Sequence, residues 1–198
     1  MNSYRMFRFL SPNIKLNKSL WILVTTNTIM VFVIGLFAPF YAIFVQKIGG
    51  SLVFAGLSWA VLSIVSGVLI LLFTKWELKV KEQELMIALG YLIRGAVFLS
   101  YAFMTSMPQL IFTQVLWGIA AAIGMPAFDA LYSLHTDRDV SIAQWGGWEG
   151  IAAIASGVAA LIGGIIIEAF GYSAIFIIMS LVSIILGTYI WRLPREVL

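Results

Sequence analysis

Six long apolar stretches fill almost all of this 198-residue chain and constrain its fold more than any single motif does. Charged residues make up only 11% of the chain, whereas they make up roughly 25% of typical soluble domains. A water-soluble fold would leave much of this apolar surface exposed. Each stretch is about as long as the roughly 20 residues with which a helix crosses the hydrocarbon layer. The sequence therefore predicts an all-α integral membrane protein with six transmembrane helices.

We expect one six-helix transmembrane domain over residues 1–198, because no segment between the stretches is long enough to form a separate globular domain. Residues 1–18 form a basic leader on the cytoplasmic side. The first apolar stretch is longer than a signal-peptide core and lacks a clear small-residue cleavage site, which indicates a retained helix. The predicted helices cover approximately residues 19–46, 53–74, 85–104, 109–132, 148–168 and 173–191.

Positive charges are distributed unequally between the two sets of helix ends. One set has only Lys47, whereas the other has Arg5, Arg8, Lys15, Lys18, Lys75, Lys79, Lys81, Arg138, Arg192 and Arg195. Lys and Arg near helix ends are retained on the cytoplasmic side of a membrane. The sequence thus predicts a multi-pass protein of the cytoplasmic (inner) membrane with both termini in the cytoplasm.

The sequence lacks the signatures of enzymes and nucleic-acid binders. There is no cysteine, and the single histidine, His135, lies in a predicted loop. No HExxH pair, Gly-x-Ser-x-Gly elbow or phosphate-binding Gly-Lys motif is present. Basic residues lie at membrane edges and are not interleaved with exposed aromatic residues. We therefore expect no catalytic site, no metal, no cofactor and no nucleic-acid partner.

Two short patterns recur in the two halves of the chain. Gly35–Phe44 and Gly124–Tyr132 share Gly, Pro, Phe, Ala, an aliphatic and an aromatic residue in the same order, and Ser-Gly-Val occurs at both 66–68 and 156–158. Three helices followed by three related ones form a 3+3 inverted repeat, because an odd number of crossings reverses the second copy. Chance matches among residues that are common in membrane helices are the alternative.

Two longer runs carry a family resemblance. Gly163–Phe176 resembles the end of helix five and the start of helix six in the major facilitator superfamily, and Gln114–Ala122 resembles that family's helix-four pattern. The resemblance covers the whole chain but only one six-helix half of the twelve-helix fold. The loop at 74–84 departs from the family: it is basic but lacks the usual Gly and Asp. Gln114 occupies a position where the family often has an Arg implicated in proton coupling, which argues against coupling by that route.

The resemblance implies a secondary active transporter that moves a small solute by alternating access, with proton or ion coupling left open. Because the chain supplies only six helices, we expect a homodimer whose two copies provide the two halves. The alternatives are a non-transporting membrane scaffold, one half of a heteromeric transporter, or a piece of a longer one.

In the resembled family, helices one and four line the central pathway. Residues at helical spacing on helix one include Asn27 and Tyr41, and those on helix four include Gln114, Trp117 and Met125. We expect these five residues to line the substrate pathway. Their aromatic and Met surface favours amphipathic or weakly polar solutes. Ordinary helix packing is the alternative interpretation.

Three charges lie within or next to the predicted helices. Arg94 is the deepest, roughly 12 Å along helix three from Met86. Asp129 lies near the cytoplasmic end of helix four, and Glu149 near the cytoplasmic start of helix five. We expect an inner cluster in which Arg94 meets a carboxylate and acts in gating or coupling. A static salt bridge with a snorkelling Arg94 is the alternative.

Helix five also carries small residues at a regular spacing. Ser156, Ala160 and Gly164 recur every four residues, with Gly157 and Gly163 beside them. Small residues let a neighbouring backbone approach closely, so this side of the helix is predicted to be a packing face.

Overall fold

The computed structural model describes residues 16–77, 79–195 and 197–198. These residues form helices and connections without a strand. The helices are α1 (Lys18–Gly35), α2 (Tyr41–Lys47), α3 (Leu52–Glu77), α4 (Gln83–Ala102), α5 (Met107–His135) and α6 (Ser141–Arg192), with short 3-10 helices at Ala38–Phe40 and Arg138–Val140. Residues 1–15 of the predicted basic leader, including Arg5, Arg8 and Lys15, lie outside the described residues.

Among the described residues, five segments are long and apolar enough to cross a bilayer. They are Lys18–Lys47, Leu52–Phe73, Gln83–Ala102, Met107–His135 and Arg138–Arg192. The last contains 55 residues and would extend roughly 80 Å as one straight helix. That length is more than twice the roughly 30 Å thickness of the hydrocarbon layer. Both the fifth and the sixth predicted helix, 148–168 and 173–191, fall within this segment.

The long helix α6 is interrupted at Gly171, where the backbone has φ 79° and ψ 178°. This conformation is essentially restricted to glycine. Ser156 packs against Gly35, and Ser183 Oγ lies 3.8 Å from the sulfur of Met30. Two positions that would be roughly 40 Å apart on a straight α6 therefore meet positions roughly 8 Å apart on α1. The chain reverses at Gly171, and we call residues 141–170 the first arm and residues 172–192 the second arm.

The helix ends follow from local chemistry. Asn17 Oδ1 accepts a hydrogen bond of 2.8 Å from the Leu20 amide and caps α1. The first predicted helix, 19–46, is observed as α1, a 3-10 turn and α2. Pro39 lies in that turn, where its missing N–H and its ring disfavour a continuous helix. Pro126, by contrast, lies inside α5 without ending it.

Small residues set the closest helix crossings. A methyl group at Gly90 of α4 would lie 3.0 Å from the Ala120 carbonyl oxygen of α5, and one at Gly118 of α5 would lie 2.9 Å from the Leu62 carbonyl oxygen of α3. At Gly163 it would overlap the Leu36 carbonyl group. Other close crossings pair Gly95 with Ile184, Gly187 with Leu92, and Gly35 with Ser156. Backbones therefore meet without intervening side chains, as is common in membrane helix packing.

The bundle has two distinct ends. At one end, Asn17 Nδ2 donates to the His135 carbonyl at 2.9 Å, and Arg195 forms ion pairs with Glu82 at 3.8 Å and Glu84 at 3.5 Å. We call this the basic end. At the other end, the Lys47 ammonium lies 5.2 Å from the centre of the Tyr172 ring, close to the turn at Gly171. We call this the Lys47 end.

Candidate functional site

A polar cluster occupies the interior near the middle of α4. Arg94 is 8% exposed and Tyr91 is 2% exposed. The two side chains interact electrostatically, and Thr26 and Asn27 of α1 approach the Tyr91 hydroxyl. Neither the Tyr91 hydroxyl nor Arg94 Nε has a hydrogen-bond partner in the described part of the chain. Buried polar groups without partners are uncommon in native folds, so this cluster is a candidate binding site.

A second polar cluster lies closer to the Lys47 end. Gln114 Nε2 of α5 donates to the Tyr41 hydroxyl of α2, which lies 2.6 Å from Ser58 Oγ of α3. Ser58 in turn donates to the Ala55 carbonyl at 2.9 Å. The bonds form one directed chain across three helices, in which Tyr41 donates to Ser58. Gln114 Oε1 is buried and has no partner among the described residues.

Aromatic side chains separate the two polar clusters, and we call Phe98, Tyr101 and Trp117 the aromatic layer. Trp117 of α5 packs edge-on against Phe98, with ring centres 5.3 Å apart, and lies 6.2 Å from the ring of Tyr101. Phe98 is one turn beyond Arg94 on α4. The Tyr101 hydroxyl is buried and also lacks a partner in the described residues. The interior of the bundle thus alternates unpaired polar groups with aromatic surfaces.

The predicted charge cluster is not assembled in this structure. The described ion pairs join Arg195 to Glu82 and Glu84, and none joins Arg94 to a carboxylate. Gly90 packs against Ala120 and Phe98 against Trp117, which places Arg94 level with about Ala120 on α5. Asp129 lies about nine residues farther along α5, roughly 14 Å away, and is therefore beyond the reach of Arg94.

The five predicted pathway residues occupy three different environments. Tyr41 and Gln114 are brought into direct contact, and Trp117 is buried beside them in the aromatic layer. Asn27 is part-buried next to Tyr91. Met125, however, is 52% exposed. Met125 therefore lies on the outer surface of this single chain and does not join the other four.

Asp129 and Glu149 also lie on exposed surfaces, although each is more than one turn inside its helix. Glu149, on the first arm, interacts electrostatically with the Tyr132 hydroxyl of α5. That hydroxyl donates a 2.7 Å hydrogen bond to the Gln144 carbonyl. An anchored tyrosine thus lies next to one of the two exposed carboxylates near the basic end.

Sequence reasoning missed Tyr91, Ser58 and Tyr101. Tyr91 carries the clearest signal, because it precedes Arg94 by three residues and therefore lies on the same face of α4. Ser58 and Tyr101 carry no comparable signal, since their roles depend on which helix packs against which.

A cavity of about 470 Å³ opens at the Lys47 end, beside the turn at Gly171. Phe44, Lys47, Tyr101 and Tyr172 contribute to its walls. The cavity reaches the aromatic layer through Tyr101. Within the ranges that the structure describes, no three His, Asp or Glu side chains lie together in a way that would hold a metal ion.

Comparison with known proteins assigns the chain at the level of a family. The model of the Major Facilitator Superfamily matches residues 12–197. No curated protein and no solved structure matches significantly. The family match extends over nearly the whole chain, from before α1 to the end of the second arm. The chain therefore belongs to the major facilitator superfamily.

Proposed function

We propose that this chain is one six-helix half of a secondary active transporter, and that two copies assemble to move a small solute across the cytoplasmic membrane by alternating access. Proteins of the major facilitator superfamily are transporters of small molecules rather than enzymes. The apolar helices and the family together make the chain a multi-pass membrane protein. The homodimer, the alternating-access mechanism and the orientation of the chain in the membrane are what we propose.

The two arms of α6 serve as separate crossings in this proposal. The reversal at Gly171 supports this interpretation, because it lets both arms pack along α1. Each arm is at least as long as the roughly 20 residues with which a helix crosses the hydrocarbon layer. Counting α1 and α2 as one interrupted crossing then gives six. An even number places both termini at the basic end, which we assign to the cytoplasm.

The pairing of helices supports an inverted repeat. The repeat relates α1 to α5, α3 to the first arm, and α4 to the second arm. The crossing of α1 with the first arm at Gly35 then corresponds to that of α5 with α3 at Gly118. The contact of α1 with the second arm corresponds to that of α5 with α4, and α4 with the second arm is its own equivalent. Each close crossing thus has its expected counterpart.

Asp129 and Glu149 carry the proposal that the pathway lies between two copies. Both carboxylates are exposed on this chain while lying inside helices that span the membrane. A carboxylate facing lipid is costly, and intramembrane charges almost always face a cavity or a partner. The surfaces that carry these groups are therefore better suited to a shared aqueous pathway than to the bilayer.

The burial of α3 supports the same arrangement. Only 11% of its most apolar window is buried within the chain, compared with 56% for α4 and α5. Its exposed side includes Trp59, which packs against Tyr41 with ring centres 5.7 Å apart. A second copy placed against α3 and the first arm would cover Trp59 and bring Glu149 to the interface between copies. The aromatic surface at Trp59 favours an amphipathic or weakly polar solute.

The test is the mass of the assembly in a native-like lipid environment. Native mass spectrometry from lipid nanodiscs should give a protein mass twice the 21.9 kDa of the chain. The same preparation in proteoliposomes should accumulate at least one solute from a panel of amphipathic compounds when an ion gradient is imposed. A species of monomer mass that still moves solute would rule out the homodimer.

The scaffold alternative predicts a different outcome. A stable dimer that accumulates no solute under any imposed gradient would support it and contradict transport. A chain that is monomeric and inactive alone, but active when a second six-helix chain is supplied, would support the heteromeric alternative.

A further inference from the structure

Arg94 carries a charge that nothing in the described part of the protein neutralises. Its guanidinium is charged at all physiological pH values, and it lies near the middle of α4 with only 8% exposure. Buried charges in proteins are normally paired or hydrogen-bonded. Among residues 16–77, 79–195 and 197–198, Arg94 Nε has no hydrogen-bond partner and Arg94 forms no ion pair. The interior of the bundle therefore contains a positive charge that no described carboxylate balances.

Snorkelling does not satisfy this requirement. Arg94 is roughly 17 Å from the first residue of α4 and roughly 12 Å from the last. Both distances exceed the length of an arginine side chain, so the guanidinium does not reach either end of the helix. The carboxylates do not satisfy it either: Asp129 lies too far along α5, and Glu84 pairs with Arg195.

The groups around Arg94 are suited to an anion. The Tyr91 hydroxyl lies one turn away on the same face of α4, is buried, and is free to donate. The Asn27 side chain approaches that hydroxyl from α1 and offers an amide N–H₂. The Tyr91 hydroxyl thus lies between a guanidinium and an amide, and no carboxylate in the described part of the chain pairs with the guanidinium. Charge-assisted hydrogen bonds of this kind are the strong ones in proteins.

An apolar surface adjoins the polar cluster. Phe98, one turn beyond Arg94, packs edge-on against Trp117. A solute with a negative group at Arg94 can place an apolar portion against these rings. Asn27 is part-buried, so the cluster is not fully closed on the side of α1, the helix that is expected to line the pathway.

We propose that Arg94, Tyr91 and Asn27 bind the carboxylate of an amphipathic organic acid, and that this acid is the transported solute. The inference rests on the proposed transport function, since it names the substrate class of that pathway. Binding itself requires neither transport nor a dimer. A chloride ion has the same charge and could occupy the same donors, so the experiment distinguishes the two sources.

The experiment measures thermal unfolding of the full chain in lipid nanodiscs while sodium benzoate is titrated, because a ligand that binds the folded state raises the midpoint temperature. Sodium chloride at equal ionic strength and neutral benzamide are the comparison probes. We expect benzoate to raise the midpoint temperature and benzamide to leave it unchanged. In Arg94→Gln, the apparent affinity for benzoate should fall at least ten-fold, whereas Arg94→Lys should retain part of it.

Arg138→Gln is the matched control, since it removes an exposed arginine at the basic end and should respond to benzoate as the wild type does. If Arg94→Gln does not fold, Tyr91→Phe provides the test, because it removes one hydroxyl and should weaken benzoate binding several-fold. An equal benzoate response in Arg94→Gln or Tyr91→Phe and wild type would overturn the proposal. So would an equal response to benzamide, or no response of the wild type to any anion.

A stabilisation by chloride that competes with benzoate and depends on Arg94 would support the anion site but would overturn the assignment to an organic acid. Failure of this inference is separable from failure of the proposed function. If the dimer accumulates solute but Arg94→Gln and the wild type respond equally to benzoate, the transport function is retained and only the proposed substrate class is wrong.

Discussion

The Tyr41 hydroxyl connects side chains from three helices, so its loss should be felt at more than one position. It accepts a hydrogen bond from Gln114 and donates to Ser58, and all three groups are buried. Removing one partner of a buried hydrogen bond leaves the other group unsatisfied, at a cost of about 1–3 kcal/mol. In a membrane interior, water is not available to replace it.

Tyr41→Phe should therefore lower the free energy of unfolding by about 1–3 kcal/mol, measured by thermal or denaturant unfolding in a fixed detergent. Tyr189→Phe is the control, because Tyr189 is 45% exposed on the second arm and should be neutral. Combining Tyr41→Phe with Gln114→Leu should cost clearly less than the sum of the two single changes, as expected for residues in one network. Additive effects would show that the two side chains do not interact.

The exposed carboxylates lead to a prediction about transport rather than stability. Asp129→Asn and Glu149→Gln should each reduce the rate of solute uptake about ten-fold or more while leaving the mass of the assembly unchanged, because neither side chain forms an ion pair within the described residues of the single chain. Asp139→Asn removes an exposed carboxylate in the short 3-10 helix and should keep the wild-type rate. Unchanged uptake in both pathway variants would remove these residues from the mechanism.

At the level of elements, helix contacts depend on which glycines face a neighbour. Gly163 of the first arm is buried against the Leu36 carbonyl, whereas Gly157 on the same arm has open space around it. The predicted packing face at Ser156, Ala160 and Gly164 is shifted in part: Ser156 and Gly164 do contact α1 and Phe40, but Ala159 takes the place of Ala160 against Gly35. A helix repeat of 3.6 residues, not four, accounts for the shift.

Gly163→Ala should destabilise the bundle by about 1–3 kcal/mol, because the added methyl group meets backbone atoms that cannot move aside. Gly157→Ala should be neutral or slightly stabilising, since alanine is the better helix former. Each variant adds one methyl group to the first arm. A difference between their unfolding temperatures in one detergent therefore reports the effect of the close crossing at Gly163. Equal unfolding temperatures for both variants would contradict the crossing at Leu36.

For the whole molecule, the absence of cysteine from the sequence makes topology directly measurable. Ser173→Cys lies one residue beyond the second arm's start at the Lys47 end, and Ser141→Cys lies at the first residue of α6 at the basic end. A membrane-impermeant maleimide applied to intact cells should label only the cysteine at 173. Labelling at 141 alone would invert the proposed orientation, and labelling of both or neither would show that 141–170 is not a complete crossing.

The sequence was sufficient to locate apolar segments, because uncharged runs of bilayer length are visible without any knowledge of packing. It did not reveal that a 3-10 turn at Pro39 interrupts the first run, because proline is tolerated inside membrane helices, as Pro126 is in α5. Uniformly apolar helices carry no polar face that would identify their neighbours, so the pairs Gly90 with Ala120 and Gly163 with Leu36 required the structure.

The candidate site likewise combines features that the sequence predicts with features that required the structure. Arg94 and Gln114 were predictable because polar groups within apolar runs are rare and costly. The contact of Gln114 with Tyr41 and the separation of Arg94 from Asp129 were not, because both depend on the register of α5 against its neighbours. Sequence spacing defines one face of one helix, and it contains no information on how far a neighbouring helix slides along it.

The reversal at Gly171 has a mechanical consequence for any rocking motion. A single non-helical residue joins the two arms, so the connection at the Lys47 end has no slack. At the basic end, α3 and α4 are joined by a five-residue segment, 78–82, and Arg195, which follows α6, is held to Glu82 and Glu84 by its side chain. Any relative movement of the two arms would therefore pivot about Gly171 and would be largest at the basic end.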